Sequence, residues 1–279
     1  MPKIAYWDCS SGIAGDMCLG ALVGAGVPLD YFTQILQQLG LDSEVKLHAD
    51  LVRRCGQAAT KVHVNLIETQ EKTFGDRSDP AEVNAEDRQH PAHHHHRHLK
   101  EIEQIVRSAN LPSQVEQWSL NAFRQLAIAE GKVHGIPPEQ VHFHEVGALD
   151  AITDIVCTCA GLDWLGVDKV FCSALPTGGG FVNCEHGRLP VPAPATLQLW
   201  QMHQVPVFSN GIERELVTPT GAALAVSLSE RFGAPPAMKL QTVGLGAGDR
   251  DLDIPNILRL WIGKPVKGKI GRQASKKKH

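Results

Sequence analysis

The sequence predicts a mixed α/β fold, with short strands alternating with helices and a histidine-rich insert expected to be disordered. Three patterns support this. Residues 44–53 and 61–66 alternate apolar and polar, the period-two signature of an antiparallel strand pair. Ile102, Ile105 and Val106 mark one face of a helix over 99–109, and Trp118, Phe123, Leu126 and Ala129 a core-facing stripe over 112–133. A short apolar run, 3–9, precedes a small-residue loop and a further helical run through Met17, Leu19, Leu22 and Val23. Helices are also expected over 29–39, from about Ala148 to Gly166, and over 193–202.

With 279 residues, 43% of them hydrophobic, the chain can bury one large core or two modest ones. A net charge of -3 and a pI near 6.5 supply no general pull toward nucleic acid or an anionic membrane. No apolar run reaches the roughly 20 residues of a membrane span. Met1-Pro2-Lys3 leads straight into an apolar strand, so a cytoplasmic location is expected. Seven cysteines without a Cys-x-x-Cys pair indicate neither a disulfide framework nor a zinc ribbon.

Histidine is the outlier, with 14 in all and six of them between His90 and His98. The stretch 69–97 around them is charged and nearly free of large apolar residues. It cannot offset the entropy of ordering itself, which is why disorder is expected. Such a tract binds first-row divalent metals without fixed geometry, suiting buffering or delivery; a plain solvated spacer is the alternative. It separates an N-terminal α/β lobe, 1–68, from a main lobe, 98–263, and a mobile basic tail, 264–279, is expected to follow.

Chemistry concentrates in 142–154, where two imidazoles and three carboxylates fall within thirteen residues. On a strand His142 and His144 share one face, with Phe143 and Glu145 on the other. Gly147 can then turn the chain into a helix on which Asp150 and Asp154 stack one turn apart. Two like charges so placed repel unless a cation lies between them. Imidazole with carboxylate suits nickel, zinc or iron rather than calcium. The plain alternative is a helix-capping carboxylate beside two ordinary histidines. His186, beside Gly187, is exposed enough for a metal ligand or a general acid, with an unremarkable turn histidine as its alternative.

Several loops suit an anion. Ser10, Ser11, Gly12, Gly15 and Asp16 lie between a strand and a helix, an arrangement that turns backbone N–H groups and a helix dipole outward; the Lys-Ser/Thr ending of a Walker loop is missing. Asp8 and Asp16 flank this loop, so a metal-bridged phosphate is expected there. Gly178, Gly179 and Gly180 let a ligand approach the backbone. Thr218, Thr220 and Gly221 open a helix expected to run to Phe232, with Thr220 as its N-cap and Gly221 leaving the first turn open. Arg250 can clamp a phosphate through two hydrogen bonds. For the first and third loops an ordinary turn or cap is the alternative. Gly244, Gly246 and Gly248 run into Asp249-Arg250-Asp251 rather than a helix, which argues against a dinucleotide fingerprint.

Taken together, 141–147, Asp150, Asp154, the 178–196 run, 217–221 and Gly246-Ala247-Gly248 with Pro255-Asn256 resemble the LarC family of nickel insertion proteins, over about residues 3–263. The resemblance implies a nickel chelatase of the lyase class. Ni(II) would enter pyridinium-3,5-bisthiocarboxylic acid mononucleotide, completing the nickel-pincer cofactor of lactate racemase-type enzymes, with CTP hydrolysed through a cytidylylated intermediate. The matching motif implies His142, His144, Glu145, Asp150 and Asp154 as metal-site residues. Longer family members carry a C-terminal domain that binds CTP with a divalent cation (magnesium or manganese), and this sequence ends before it. Either a separate CTP-binding polypeptide is a partner or the sequence is truncated, and the mononucleotide and a client nickel-pincer enzyme are the other expected partners; a homo-oligomer is left open. Two rivals stand: a metal-dependent hydrolase of a phosphorylated small molecule, and a non-enzymatic nickel carrier working through 90–98.

Overall fold

The computed structural model describes residues 2–67, 97–143, 149–184 and 187–266, with the backbone alone at 142 and 184. Seven strands form one mixed sheet: β1 (Ile4–Asp8), β2 (Val45–Arg54), β3 (Gln57–Leu66), β4 (Lys169–Cys172), β5 (Ser229–Phe232), β6 (Met238–Ala247) and β7 (Ile257–Pro265). Their order is β5-β4-β1-β7-β6-β3-β2, so the stretches expected as two lobes contribute to one sheet. The first strand lies parallel to β4 and antiparallel to β7. The expected antiparallel pair is the β2–β3 hairpin, registered from Val45 opposite Leu66 to Arg54 opposite Gln57.

Seven helices are described: α1 (Gly15–Gly24), α2 (Leu29–Leu39), α3 (Leu99–Ser108), α4 (Ser113–His134), α5 (Leu149–Trp164), α6 (Pro194–His203) and α7 (Pro219–Leu228). The helix α2 buries Phe32, Ile35, Leu36 and Leu39, the one-sided spacing of a helix lying on a core. By contrast α5 is buried almost all round, from Ala151 to Leu162, so its sequence reads as a continuous apolar run. It packs against α1, α2 and α4, and α4 in turn contacts α6 and α7.

The first helix rests on β6 and β3, and the glycines of β6 make this possible. A Cβ on Gly244 would stand 1.8 Å from the Ala21 carbonyl oxygen, and one on Gly246 1.8 Å from that of Met17. Strand glycines often mark such a close approach of another backbone. The strand continues through both glycines to Ala247 without opening a helix, in keeping with the rejected dinucleotide motif.

Two boundaries differ from expectation. The helix opened by Thr218 stops at Leu228 instead of continuing to Phe232. Residues 229–232 are drawn into the sheet, with Ser229 opposite Val170 and Phe232 opposite Cys172. Tertiary pairing overrides the local helical pattern there. The expected disordered insert, 69–97, lies outside the described residues apart from Arg97. Arg97–His98 pairs antiparallel with His142–Phe143, setting His98 opposite His142. The tail beyond 266 is also outside the described residues.

Adding a methyl where two backbones touch forces them apart, at a cost of about 1–3 kcal/mol for an overpacked interior. Gly246→Ala should therefore lower the urea midpoint of unfolding with an unchanged slope. An unaltered midpoint would contradict the proposed α1–β6 contact.

Candidate functional site

Three helix starts meet around one cleft. The loop before α1 and the strand-like segment before α7 are joined: Ile13 N–H donates to the Leu216 carbonyl (2.9 Å) and Thr218 N–H to that of Ile13 (3.2 Å). Gly12 sits at φ +110°, and a Cβ there would lie 2.0 Å from the Leu216 oxygen. Only glycine satisfies both demands. At the start of α7 the N-cap is Thr218 rather than the expected Thr220: its hydroxyl accepts from Gly221 N–H at 3.1 Å, and Thr220 lies inside the first turn after Pro219.

The third start, α5, is held against the first by an equally close contact. A Cβ on Gly15 would stand 2.0 Å from Asp154 Oδ2. The cleft that results, of about 340 Å³, is lined by Gly15 and Asp16 from α1, Asp150 and Asp154 from α5, and Thr218 and Thr220 at α7. Lys61, His63 and Asn65 of β3 and Asp249 after β6 complete its lining.

Charge in this cleft is unbalanced. Lys61, with its side chain only 4% exposed, pairs with Asp16 and with Asp249 Oδ1 at 2.5 Å. Burial lowers its pKa, but the two carboxylates outweigh that and hold it above the usual lysine value. Burial pushes the Asp16 carboxyl up, and Lys61 offsets this only in part. Asp154 is pushed well up, first by burial and then by the negative charges of Asp16 and Asp150. Its Oδ1 is buried and has no hydrogen-bond partner among the described residues. Four carboxylates and one lysine thus line the cleft, and of the four the Asp154 carboxyl is the one that burial and its acidic neighbours push furthest toward the protonated form.

Of the expected site residues, Gly15, Asp16, Asp150, Asp154, Thr218 and Thr220 are brought together in the cleft lining. Ser10, Ser11 and Gly12 lie in the adjoining loop, where Ser10 Oγ donates to Asp8 at 2.6 Å. Asp8 is turned toward Arg259, its ion-pair partner, and does not line the cleft with Asp16. Gly178, Gly179 and Gly180 pack instead on 213–214, with Gly179 N–H donating to the Arg214 carbonyl at 3.2 Å. Arg250 does not line the cleft; its carbonyl accepts from Asn256 Nδ2 at 3.0 Å. His144, Glu145 and His186 lie outside the described residues, as does the His142 side chain. Among the described residues no group of three or more His, Cys, Asp or Glu already stands around a metal position.

Lys61, His63 and Asp249 are the cleft residues that sequence reasoning passed over. A lysine in an alternating strand reads as a solvent-facing residue, and only the placement of β3 beside α1 makes it an ion-pair partner.

Fold and cleft together describe a mixed α/β protein with four aspartates and one buried lysine lining a cleft between helix starts. Residues 5–279 match the sequence model described as nickel insertion protein. The chain belongs to the nickel insertion protein family. A relative from Rippkaea orientalis is 58% identical over 271 residues, covering 95% of this chain and 61% of its own length. One from Synechocystis sp. is 58% identical over 266 residues, covering 95% and 59%. Both bear the provisional name of nickel insertion protein, and the chain spans about three-fifths of their length. No solved structure matches it.

The raised pKa of Asp154 fixes the sign of a pH effect. Below pH 3.8 the carboxyl is protonated in folded and unfolded chains alike. As pH rises, the unfolded chain gives up this proton first, so the stability associated with it is lost toward the folded pKa. Asp154→Asn removes that loss. The variant's stability advantage over the parent should therefore grow from pH 5 to pH 8 in urea titrations; a constant difference would show that Asp154 is not held protonated.

Proposed function

We propose that this chain handles nickel for insertion into pyridinium-3,5-bisthiocarboxylic acid mononucleotide, yielding the nickel-pincer cofactor. The observation that carries this reading is the meeting of Asp154, Asp150 and Asp16 with the starts of α1 and α7 in one cleft. Carboxylates supply oxygen donors for the ion, and helix starts favour the anionic phosphate of the nucleotide. Of the motif implied to hold metal, Asp150 and Asp154 of α5 line the cleft. Arg97–His98, which follow the histidine tract in the chain, pair with His142–Phe143.

Nickel is the cargo of this reaction. Imidazole and carboxylate hold it with harder donors than the two thiocarboxylates of the nucleotide, so transfer from protein to nucleotide runs downhill. Loading displaces the proton of Asp154, and affinity falls as pH drops through the histidine range. The positive Lys61 keeps Asp16 and Asp249 from competing freely for the ion and leaves Asp154 as its principal oxygen ligand. CTP, with magnesium or manganese, would act through the C-terminal domain of the longer family members, and the product would pass to a client nickel-pincer enzyme. We place the reaction in the cytoplasm, where the six described free cysteines would remain reduced.

The test combines this chain, the mononucleotide, Ni(II) and CTP, with and without the C-terminal part supplied, and follows the metallated product by absorbance. Product should form when all components are present, and Asp154→Asn should slow it about tenfold or more, as loss of a metal-site group does elsewhere. Phosphoester turnover by the chain alone, with no metallation, would favour the hydrolase instead. Nickel binding lost completely on deleting 85–98 would favour the simple carrier.

A further inference from the structure

The two edges of the seven-stranded sheet are built differently. At one end β5 has only four residues, a register that shifts against β4, and a Lys169–Glu230 ion pair to that neighbour. Short length, a bulge and charge are devices that keep an edge from pairing with another chain. The other edge, β2, runs for ten residues, contains no proline and keeps an unbroken register with β3. Among the described strands none pairs with its outer side. Leu51, on this strand, is 78% exposed, more than any other large apolar side chain among the described residues.

The sequence of this edge is complementary to itself. Along a strand the backbone N–H and C=O groups of successive residues point alternately to either side. A strand meeting its own copy antiparallel therefore opposes odd residues to odd and even to even, and the two-fold axis passes through a residue. With the axis at Ala49, His48 stands opposite the partner's Asp50 and Leu51 opposite the partner's Leu47, each twice by symmetry. Val45 to Arg53 then overlap throughout, with no like charges opposed. An axis at Asp50 sets Lys46 against Arg54, and one at Leu47 sets Glu44 against Asp50; both are repulsive. An axis at His48 pairs only 45–51.

We propose that β2 is a homodimer interface, on which a second copy of this chain continues the sheet antiparallel about a two-fold axis at Ala49. Backbone hydrogen bonds along the edge supply the affinity, and the side-chain pairs set the register. Leu51 leaves water for Leu47, which already packs on the core. Within one chain His48 Nε2 lies 3.0 Å from Asp50 Oδ1, with the two side chains 63% and 49% exposed, so each is free to turn to its counterpart in the partner. The hairpin lines the cleft through β3 and not through β2, so the interface is independent of the nickel reading.

Sedimentation equilibrium of the full chain over the micromolar range should report a monomer–dimer equilibrium. His48→Asp brings two carboxylates together, and Asp50→Lys sets an ammonium against His48. Each should weaken association about tenfold or more. Mixed in equal amounts, the two variants oppose acid to base at both pairs and should recover a dimer. Circular dichroism should show both variants folded like the parent, since both positions are exposed. In the parent itself, amide exchange in β2 should slow as protein concentration rises, whatever the variants do. A monomeric parent overturns the proposal and leaves the edge to some other extended partner. A dimer whose β2 amides exchange as fast as the monomer's overturns it too, and no recovery in the mixture overturns the axis at Ala49.

Discussion

The cleft depends on a contact between a residue with no side chain and an acid whose buried oxygen has no hydrogen-bond partner among the described residues. Gly15 begins α1 against Asp154 of α5, and any Cβ would collide with the carboxylate. That closeness lets two helix starts share one space, and the 13–218 ladder adds the third. It also leaves Asp154 Oδ1 buried without a hydrogen bond among the described residues, an arrangement that costs about 1–3 kcal/mol in an ordinary interior. A fold that retains such a group has placed a ligand or a proton-exchanging acid at the junction of its helices.

The remaining charges define what that acid can do. Lys61 ion-pairs with Asp16 and Asp249 and has no hydrogen bond to Asp154. Asp150 and Asp154 stand outside that pairing, and under the proposed function Asp154 alternates between a proton and a metal ion. Such an alternation suits a carrier of cargo better than a permanent structural site, whose ligands would be satisfied around a resident ion. The chain belongs to the nickel insertion protein family, and the proposed function assigns nickel and an anionic acceptor to this cleft on that basis.

Much of this was legible in the sequence because it is encoded locally. The bounds of α2, the β2–β3 alternation and the one-turn spacing of Asp150 and Asp154 each lie within a single element; the cap of α7 was misplaced by two residues, since Pro219 opens the helix and leaves the cap to Thr218. The adjacency of the first loop to 216–218 was not legible, since it is made by backbone hydrogen bonds between segments about 200 residues apart. The same holds for Lys61, whose role appears only once β3 lies beside α1. The Gly178–Gly180 run misled for a related reason. Its glycines admit the backbone and side chain of 213–214, a protein neighbour instead of a ligand. The end of α7 was misjudged because sheet pairing with β4 captured residues whose local pattern still reads as helix.

The most direct measurement is anomalous scattering at the nickel absorption edge from crystals of the full chain equilibrated with Ni(II). The account predicts a peak in the cleft bonded to the Asp154 carboxylate. Nickel confined to the histidine tract and the protein surface, with Asp154 still buried and unliganded, would contradict it.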